Sequence, residues 1–128
     1  MNKAQTINSF WNSFGIPAYD MYAVPNDAQM PYITYEYVED NFDNTVILSA
    51  SIWYKSTSWQ GVSEKAAEIA EDIGNGKILK TDEGYIYIAR GTPFMQRLSD
   101  TDMQRLSDTD DTIRRIYINL QVEYMTLN

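Results

Sequence analysis

Five aspartates in one short stretch are the residues best suited to chemistry in this sequence: Asp100, Asp102, Asp108, Asp110 and Asp111. Carboxylate oxygens are the ligands that calcium prefers, and an EF-hand loop also needs glycine at its sixth position and glutamate at its twelfth. Counting from Asp100 or from Asp108 places neither residue where it is required. The sequence therefore predicts a solvated acidic loop and no metal site.

Residues 74–77 (Gly-Asn-Gly-Lys) resemble part of a phosphate-binding loop. A Walker motif has glycine where this chain has Glu71, and Ser or Thr where it has Ile78. The segment also follows an expected helix instead of preceding one. We interpret it as a helix cap and expect no cofactor.

The absence of histidine and cysteine removes most catalytic chemistry. It excludes histidine general bases, cysteine nucleophiles and Cys/His zinc ligands, and no Gly-X-Ser-X-Gly elbow is present. Hydrolysis by a carboxylate pair is formally open, because the chain has 18 Asp and Glu residues, but nothing marks two of them as sharing a cleft. We expect no catalytic residues and a protein that is not an enzyme.

The length and net charge of the chain restrict the class of protein further. The 128 residues fit one domain, and 44% apolar residues suffice for a core. A net charge of -8 argues against broad nucleic-acid binding, which needs clustered Lys and Arg. Neither a secretory signal nor a membrane-spanning run is apparent, so synthesis in the cytoplasm is the expectation.

Apolar spacing predicts the elements that would carry any site. Ile7, Phe10, Trp11 and Phe14 lie on one helical stripe, and a second helix is expected over 62–73. Strands are predicted over 32–38, 45–55 and 85–90, near 78–79, and over 116–124. The predicted fold is α+β, with a mostly antiparallel four- to five-stranded sheet and two helices packed on one face.

An exact tandem duplication interrupts this pattern. Residues 95–102 (Met-Gln-Arg-Leu-Ser-Asp-Thr-Asp) are repeated at once as residues 103–110. A sheet cannot absorb eight residues without losing register, whereas an exposed loop can, because loop-closure entropy grows slowly with length. The sequence therefore predicts a single domain over 1–128 with an exposed, mobile loop at about 95–111.

Aromatic residues suggest contact with other proteins. Ten Tyr, three Trp and four Phe can fill a core, yet the strand alternation places Trp53 and Tyr117 opposite the core faces. Tyr and Trp are enriched at protein interfaces, because their rings can be buried at one end and hydrated at the other. Such placement favours a protein that works through binding.

The order of segments resembles the small tail terminator (tail completion) proteins of tailed bacteriophages. The resemblance covers the N-terminal helix and nearly the whole chain as diffuse patterning, in residues 15–19, 31–35, 52–55, 62–73 and 110–119. The second copy of the repeat adjoins the strand of Arg114 and Arg115, as in the family arrangement. The first copy is a departure from that arrangement.

The resemblance implies a structural virion protein without catalysis. Such proteins form a hexameric ring at the head-proximal end of the tail, end polymerisation of the tail tube and join the tail to the head connector. The implied partners are further copies of the chain, the tail tube protein and the connector protein, with DNA only passing through the lumen and no membrane. Like charge lining the lumen would keep DNA from adhering.

The candidate contact residues are Trp53, Trp59, Arg114, Arg115 and Tyr117. A competing interpretation is that the tryptophans cover core edges and the arginines pair with the loop aspartates. Two other functions remain open: a head-tail connector stopper or adaptor protein, and a small non-catalytic α+β binding domain.

Overall fold

The computed structural model describes residues 1–39, 45–98 and 112–126. The elements of this part of the chain are α1 (Lys3–Trp11), a 3₁₀ turn (Asn12–Phe14), β1 (Ala18–Asp20), β2 (Tyr32–Tyr35), β3 (Thr45–Lys55), α2 (Gln60–Ile73), β4 (Lys77–Lys80), β5 (Gly84–Arg97) and β6 (Ile113–Thr126).

Helix α1 begins with an N-cap at Asn2. The Asn2 side chain accepts a hydrogen bond from the Gln5 backbone N–H at 2.8 Å, and the Gln5 side chain accepts one from the Asn2 N–H at 3.0 Å. This reciprocal pair satisfies two N–H groups that have no partner within the helix. The 3₁₀ turn that follows ends at Gly15, whose φ of 84° lies in the left-handed region.

Helix α2 begins two residues before the predicted start and ends where expected. Its N-cap position is Trp59, whose side chain makes no capping bond, but the Ser58 hydroxyl accepts a hydrogen bond from the Gln60 N–H at 3.0 Å. The helix ends at Gly74, with φ 57° and its N–H bonded to the Ala70 carbonyl. Val62, Ala66, Ile69 and Ile73 are its buried residues.

The sheet is mixed and curled, with six strands in the order β1-β2-β3-β6-β5-β4. The α+β class is as predicted, but the four- to five-stranded count is wrong. The additional strand is β1, which pairs in parallel with β2; the other neighbouring pairs are antiparallel. Three residues are too short for alternation to reveal a strand, so the sequence pattern does not predict β1.

Strand β5 runs well beyond its predicted end at Arg90. The ladder with β6 is interrupted between Arg90 and Met95, and it resumes with Met95 opposite Ile118 and Arg97 opposite Ile116. The first residues of the duplicated segment, 95–97, therefore belong to the sheet, and the connection predicted at about 95–111 begins after Arg97. Residues 99–111 lie outside the described residues, so mobility there stays a prediction.

Gly91 explains how the interrupted ladder stays close to its partner. A Cβ atom on Gly91 would lie 2.9 Å from the Asn119 backbone oxygen on β6. Only glycine permits this approach of the two backbones, so the irregularity is absorbed locally and β5 can pair again afterwards.

Both helices pack on one face of the sheet and enclose a single core. Buried side chains of β3 and β6 alternate along each strand, as the 2.0-residue period requires: Leu48, Ala50, Ile52, Ile116, Ile118, Leu120, Val122 and Tyr124. Trp11 of α1 stacks on Tyr35 of β2, with ring centroids 6.3 Å apart. The side chains at the alternate positions of these two strands, such as Ser51, Trp53 and Tyr117, point away from the helices, and we call that side of the sheet the open face.

Candidate contact surface

Three of the five candidate contact residues meet on the open face. In the β3–β6 ladder Trp53 lies opposite Arg115, and Ser51 lies opposite Tyr117. The Arg115 guanidinium carbon lies 4.4 Å from the Trp53 ring centroid, and Arg115 Nε donates a hydrogen bond to Ser51 Oγ at 2.9 Å. The alternation and register of two long central strands bring these side chains together.

An aromatic row extends from Arg115 to the β1 edge of the sheet. The ring of Trp53 lies 6.4 Å from that of Tyr32, and Tyr32 lies 5.8 Å from Tyr19. Trp53 Nε1 donates a hydrogen bond to Thr34 Oγ1 at 2.9 Å, so the one polar group of the Trp53 side chain has a partner. Trp53 is only 9% exposed, so it supports the row from beneath, while Tyr32 and Arg115 are half-buried and reach the surface.

Tyr19 and Tyr32 were not among the predicted contact residues. Tyr19 lies on the three-residue strand that the sequence pattern did not reveal, so its cross-strand neighbour could not be assigned. Burial raises the pKa of Tyr32 above its ordinary value, and the neighbouring Tyr19 adds to the effect. A tyrosine hydroxyl is protonated at neutral pH even at its ordinary pKa, so Tyr32 can donate a hydrogen bond to a partner.

A polar network adjoins the aromatic row. Glu36 Oε1 accepts hydrogen bonds from the Ser49 N–H at 3.0 Å and from Ser49 Oγ at 2.9 Å, and the Tyr117 hydroxyl donates to Ser49 Oγ at 2.7 Å. These groups line a groove of about 80 Å³ that Met21 and Arg115 also border. Small-molecule sites commonly hold about 300–1,000 Å³, so this groove suits one protruding side chain of a partner.

The other two candidates lie on the helix side of the sheet. Arg114 follows the opposite alternation to Arg115, and its guanidinium carbon lies 5.5 Å from the Trp59 ring, while Arg97 lies 4.7 Å from the same ring. Arg114 Nη2 also donates to the Thr57 carbonyl at 2.9 Å. Trp59 packs against the core, which agrees with the competing interpretation that a tryptophan covers a core edge.

The five predicted contact residues thus form two clusters on opposite faces of the sheet. Arg97 is the member of the second cluster that sequence reasoning missed, because β5 was expected to end at Arg90. Beyond Gly91, the alternate positions Phe94, Gln96 and Leu98 are too weak a signal to predict that the strand continues through Arg97. Arg114 and Trp59 secure the start of α2 to the start of β6, whereas the open face carries the candidates available for contact.

Other parts of the described chain offer less for binding. A hollow of about 340 Å³ lies between the segment 28–30, Lys55 and Ile113, with Lys55 its charged group. Over residues 1–39, 45–98 and 112–126, no group of three Asp or Glu side chains is placed to hold a metal ion. The aspartate series considered for calcium lies outside these residues.

The fold defines the class as α+β, with two helices on one face of a curled mixed sheet. Within the described part, no helix has the length and apolar character needed to cross a membrane. Compared with protein-family models, with curated proteins and with solved structures, the chain gives no match in any of the three searches.

Proposed function

We propose that the chain is a structural virion protein of a tailed bacteriophage. In this proposal it forms a ring at the head-proximal end of the tail, ends polymerisation of the tail tube and joins the tail to the head connector. The resemblance of its segments to tail terminator proteins supplies the class. The observation that carries the proposal is the open face, where Tyr32, Trp53, Arg115 and Tyr117 form one polar–aromatic surface on adjacent strands.

The chemistry of this surface suits contact between proteins. Aromatic and arginine side chains dominate binding energy at interfaces, because their large planar surfaces are desolvated while their polar groups stay paired. Trp53 and Arg115 are already held by Thr34 and Ser51, so few side-chain rotamers have to be fixed on binding. Preorganisation of this kind lowers the entropic cost of association.

A closed ring requires two different complementary patches on each subunit. The open face is proposed as one patch, which a neighbouring copy or the tail tube protein contacts. The chain has no catalytic role in this scheme, and its localisation is the virion, after assembly in the host cytoplasm. DNA passes through the lumen without specific binding.

A charge reversal on the open face tests the proposal. We expect Arg115→Glu to reduce ring formation, measured by size-exclusion chromatography with light scattering, and to reduce binding to tail tube ends in electron micrographs. Arg90→Glu is the matched control, because Arg90 is exposed on β5 and lies on the other face. Thermal unfolding of both variants checks that the fold is retained.

The outcomes separate the proposal from its competitors. A folded Arg115→Glu variant that assembles and caps tubes as well as the Arg90→Glu control would remove the open face from the assembly mechanism. If the unmodified protein binds isolated head connectors but never tail tube ends, the stopper or adaptor function is correct instead. Binding to neither structure would refute the virion proposal.

A further inference from the structure

The β1 edge of the sheet is closed to further strands. Ala18 turns its backbone groups outward, and the Asn12 amide occupies them: the Ala18 N–H donates to Asn12 Oδ1 at 3.0 Å, and Asn12 Nδ2 donates to the Ala18 carbonyl at 3.2 Å. The outward carbonyl of Asp20 accepts from the Ala23 N–H at 2.9 Å. Because these backbone groups already have hydrogen-bond partners, β1 has few free groups with which an additional strand could pair.

Among the described residues, the β4 edge at the other end is covered only beyond Lys80, where the Asp82 N–H donates to the Met1 carbonyl at 2.9 Å. The Thr81 N–H donates to the Gly84 carbonyl at 2.8 Å, so the backbones of these two facing residues form a hydrogen-bonded pair. Such pairs alternate along an antiparallel ladder, which assigns Leu79 and Lys77 to bonding with β5 and turns the backbone groups of Ile78 and Lys80 outward. Within the described residues these outward groups make no hydrogen bond.

Side chains along this edge add a specific pattern to the free backbone. Ile78 is 61% exposed and lies opposite Tyr87, while Lys80 is exposed and lies opposite Tyr85. All four side chains are on the open face, because directly paired residues share a face. Among the described residues Lys80 has no ion-pair partner. The edge therefore presents an apolar and a cationic position two residues apart.

Neither β1 nor β4 of a second copy fits this edge well. The β1 edge is capped by Asn12, so the sheets of neighbouring copies cannot join β1 to β4 without breaking those bonds. A second β4 would bring another Lys77 and Lys80 and no carboxylate of its own. Like charges accumulate along such a pairing, and this disfavours it.

We propose that β4 binds an extended segment of another polypeptide as an added strand. The partner segment carries an apolar side chain beside Ile78 and a carboxylate beside Lys80, two residues apart, and its backbone pairs with the outward groups of Ile78 and Lys80. Main-chain hydrogen bonds supply affinity in this mode, and alternate side chains supply specificity. The added strand pairs at the β4 edge, two strands away from Arg115 on β6, and the proposal does not rest on the proposed function.

The test uses two synthetic peptides and amide chemical shifts of the protein. The first is acetyl-Thr-Val-Thr-Glu-Thr-Val-Thr-amide, which presents the apolar and acidic pattern in either strand direction; the second has Lys in place of Glu. We expect the first peptide to shift the Ile78 and Lys80 amides selectively. The second should bind about two- to fivefold more weakly, as expected from the loss of an exposed ion pair.

Two variants locate the interaction. Ile78→Pro removes the outward N–H without touching the bonds to β5 and should abolish the peptide-induced shifts, whereas Ile78→Ala keeps the N–H and should retain most of them. Because proline can also lower stability, Lys80→Glu gives an independent readout and should make the lysine peptide the tighter ligand.

Three results would overturn the proposal. The first is the absence of shifts at Ile78 and Lys80 with the glutamate peptide at millimolar concentration. The second is equal binding of the two peptides by the unmodified protein and by Lys80→Glu. The third is slow hydrogen exchange of the Ile78 and Lys80 amides together with fast exchange of Leu79, since this would reverse the assigned direction of the backbone groups.

Discussion

Removing one copy of the duplicated octapeptide should leave the described sheet intact. Deleting residues 95–102 or residues 103–110 gives the same polypeptide, because the copies are identical. In either case Met-Gln-Arg-Leu still follows Phe94, so the side chains that pair with Ile116 and Ile118 are preserved. The Leu98 N–H can likewise still donate to the Arg115 carbonyl, which it does at 3.2 Å.

The expected change in stability follows from the length of the connection alone. Strand β5 ends at Arg97 and β6 begins at Ile113, so fifteen residues connect them, and removing eight leaves seven. For a flexible chain the closure cost scales as 1.5RT ln n, which gives a stabilisation of about 0.7 kcal/mol for this shortening. In a protein of this size, that corresponds to a rise of about 3 °C in the melting temperature.

Urea unfolding of the two proteins, with midpoints compared at a common m value, measures this difference. Amide spectra should show changes confined to residues near the shortened connection. A deletion variant that loses more than about 1 kcal/mol, or that shifts the amides of Ile116–Ile118 strongly, would refute the reasoning. The deleted copy would then make stabilising contacts of its own and would not act only as additional loop length.

Two further predictions concern buried polar groups. Asn12→Ala should lower the free energy of unfolding by roughly 1–2 kcal/mol, because the backbone groups of Ala18 lose their partners; Asn26→Ala in an exposed turn is the control, and equal stability of both variants would contradict the assignment. Burial raises the pKa of Tyr124 above its ordinary value of about 10. Its phenol thus stays protonated in the folded state when unfolded tyrosine ionises, so its contribution to stability is complete below pH 10 and falls above it, by about 1.4 kcal/mol per pH unit. Tyr124→Phe should lose about 1 kcal/mol at neutral pH, since the hydroxyl donates to the Val38 carbonyl at 2.7 Å, and should weaken the alkaline decline. An unchanged pH profile in urea unfolding would exclude Tyr124 as the titrating group.

Long periodic segments were predictable from the sequence, because one face of each is buried and the other is hydrated. Strand β3 has the predicted bounds of 45–55, and the segment 74–77 caps the end of α2 at Gly74, as predicted. The predictions failed where the determining contact is distant in sequence. Strand β1 depends on pairing with β2, and the continuation of β5 depends on the close approach of Gly91 to β6.

The contact surface was predictable only in part, for a related reason. Strand alternation alone placed Trp53 and Tyr117 on the face away from the core. It did not reveal that Trp53 would be covered by Tyr32, since that neighbour is set by the β2–β3 register. Adjacent arginines must point to opposite faces of a strand, so Arg114 and Arg115 could not both belong to one surface.

Net charge is a poor guide to the contact surfaces of this chain. Of its 18 carboxylates, seven lie in residues 40–44 and 99–111, where Arg105 is the one basic residue. The described residues are therefore much closer to neutral than the total of -8 suggests. The two surfaces proposed to bind partners each carry a cation, Arg115 on the open face and Lys80 at the β4 edge. Neither surface therefore supplies the like charge that would keep DNA from adhering to the lumen of the proposed ring.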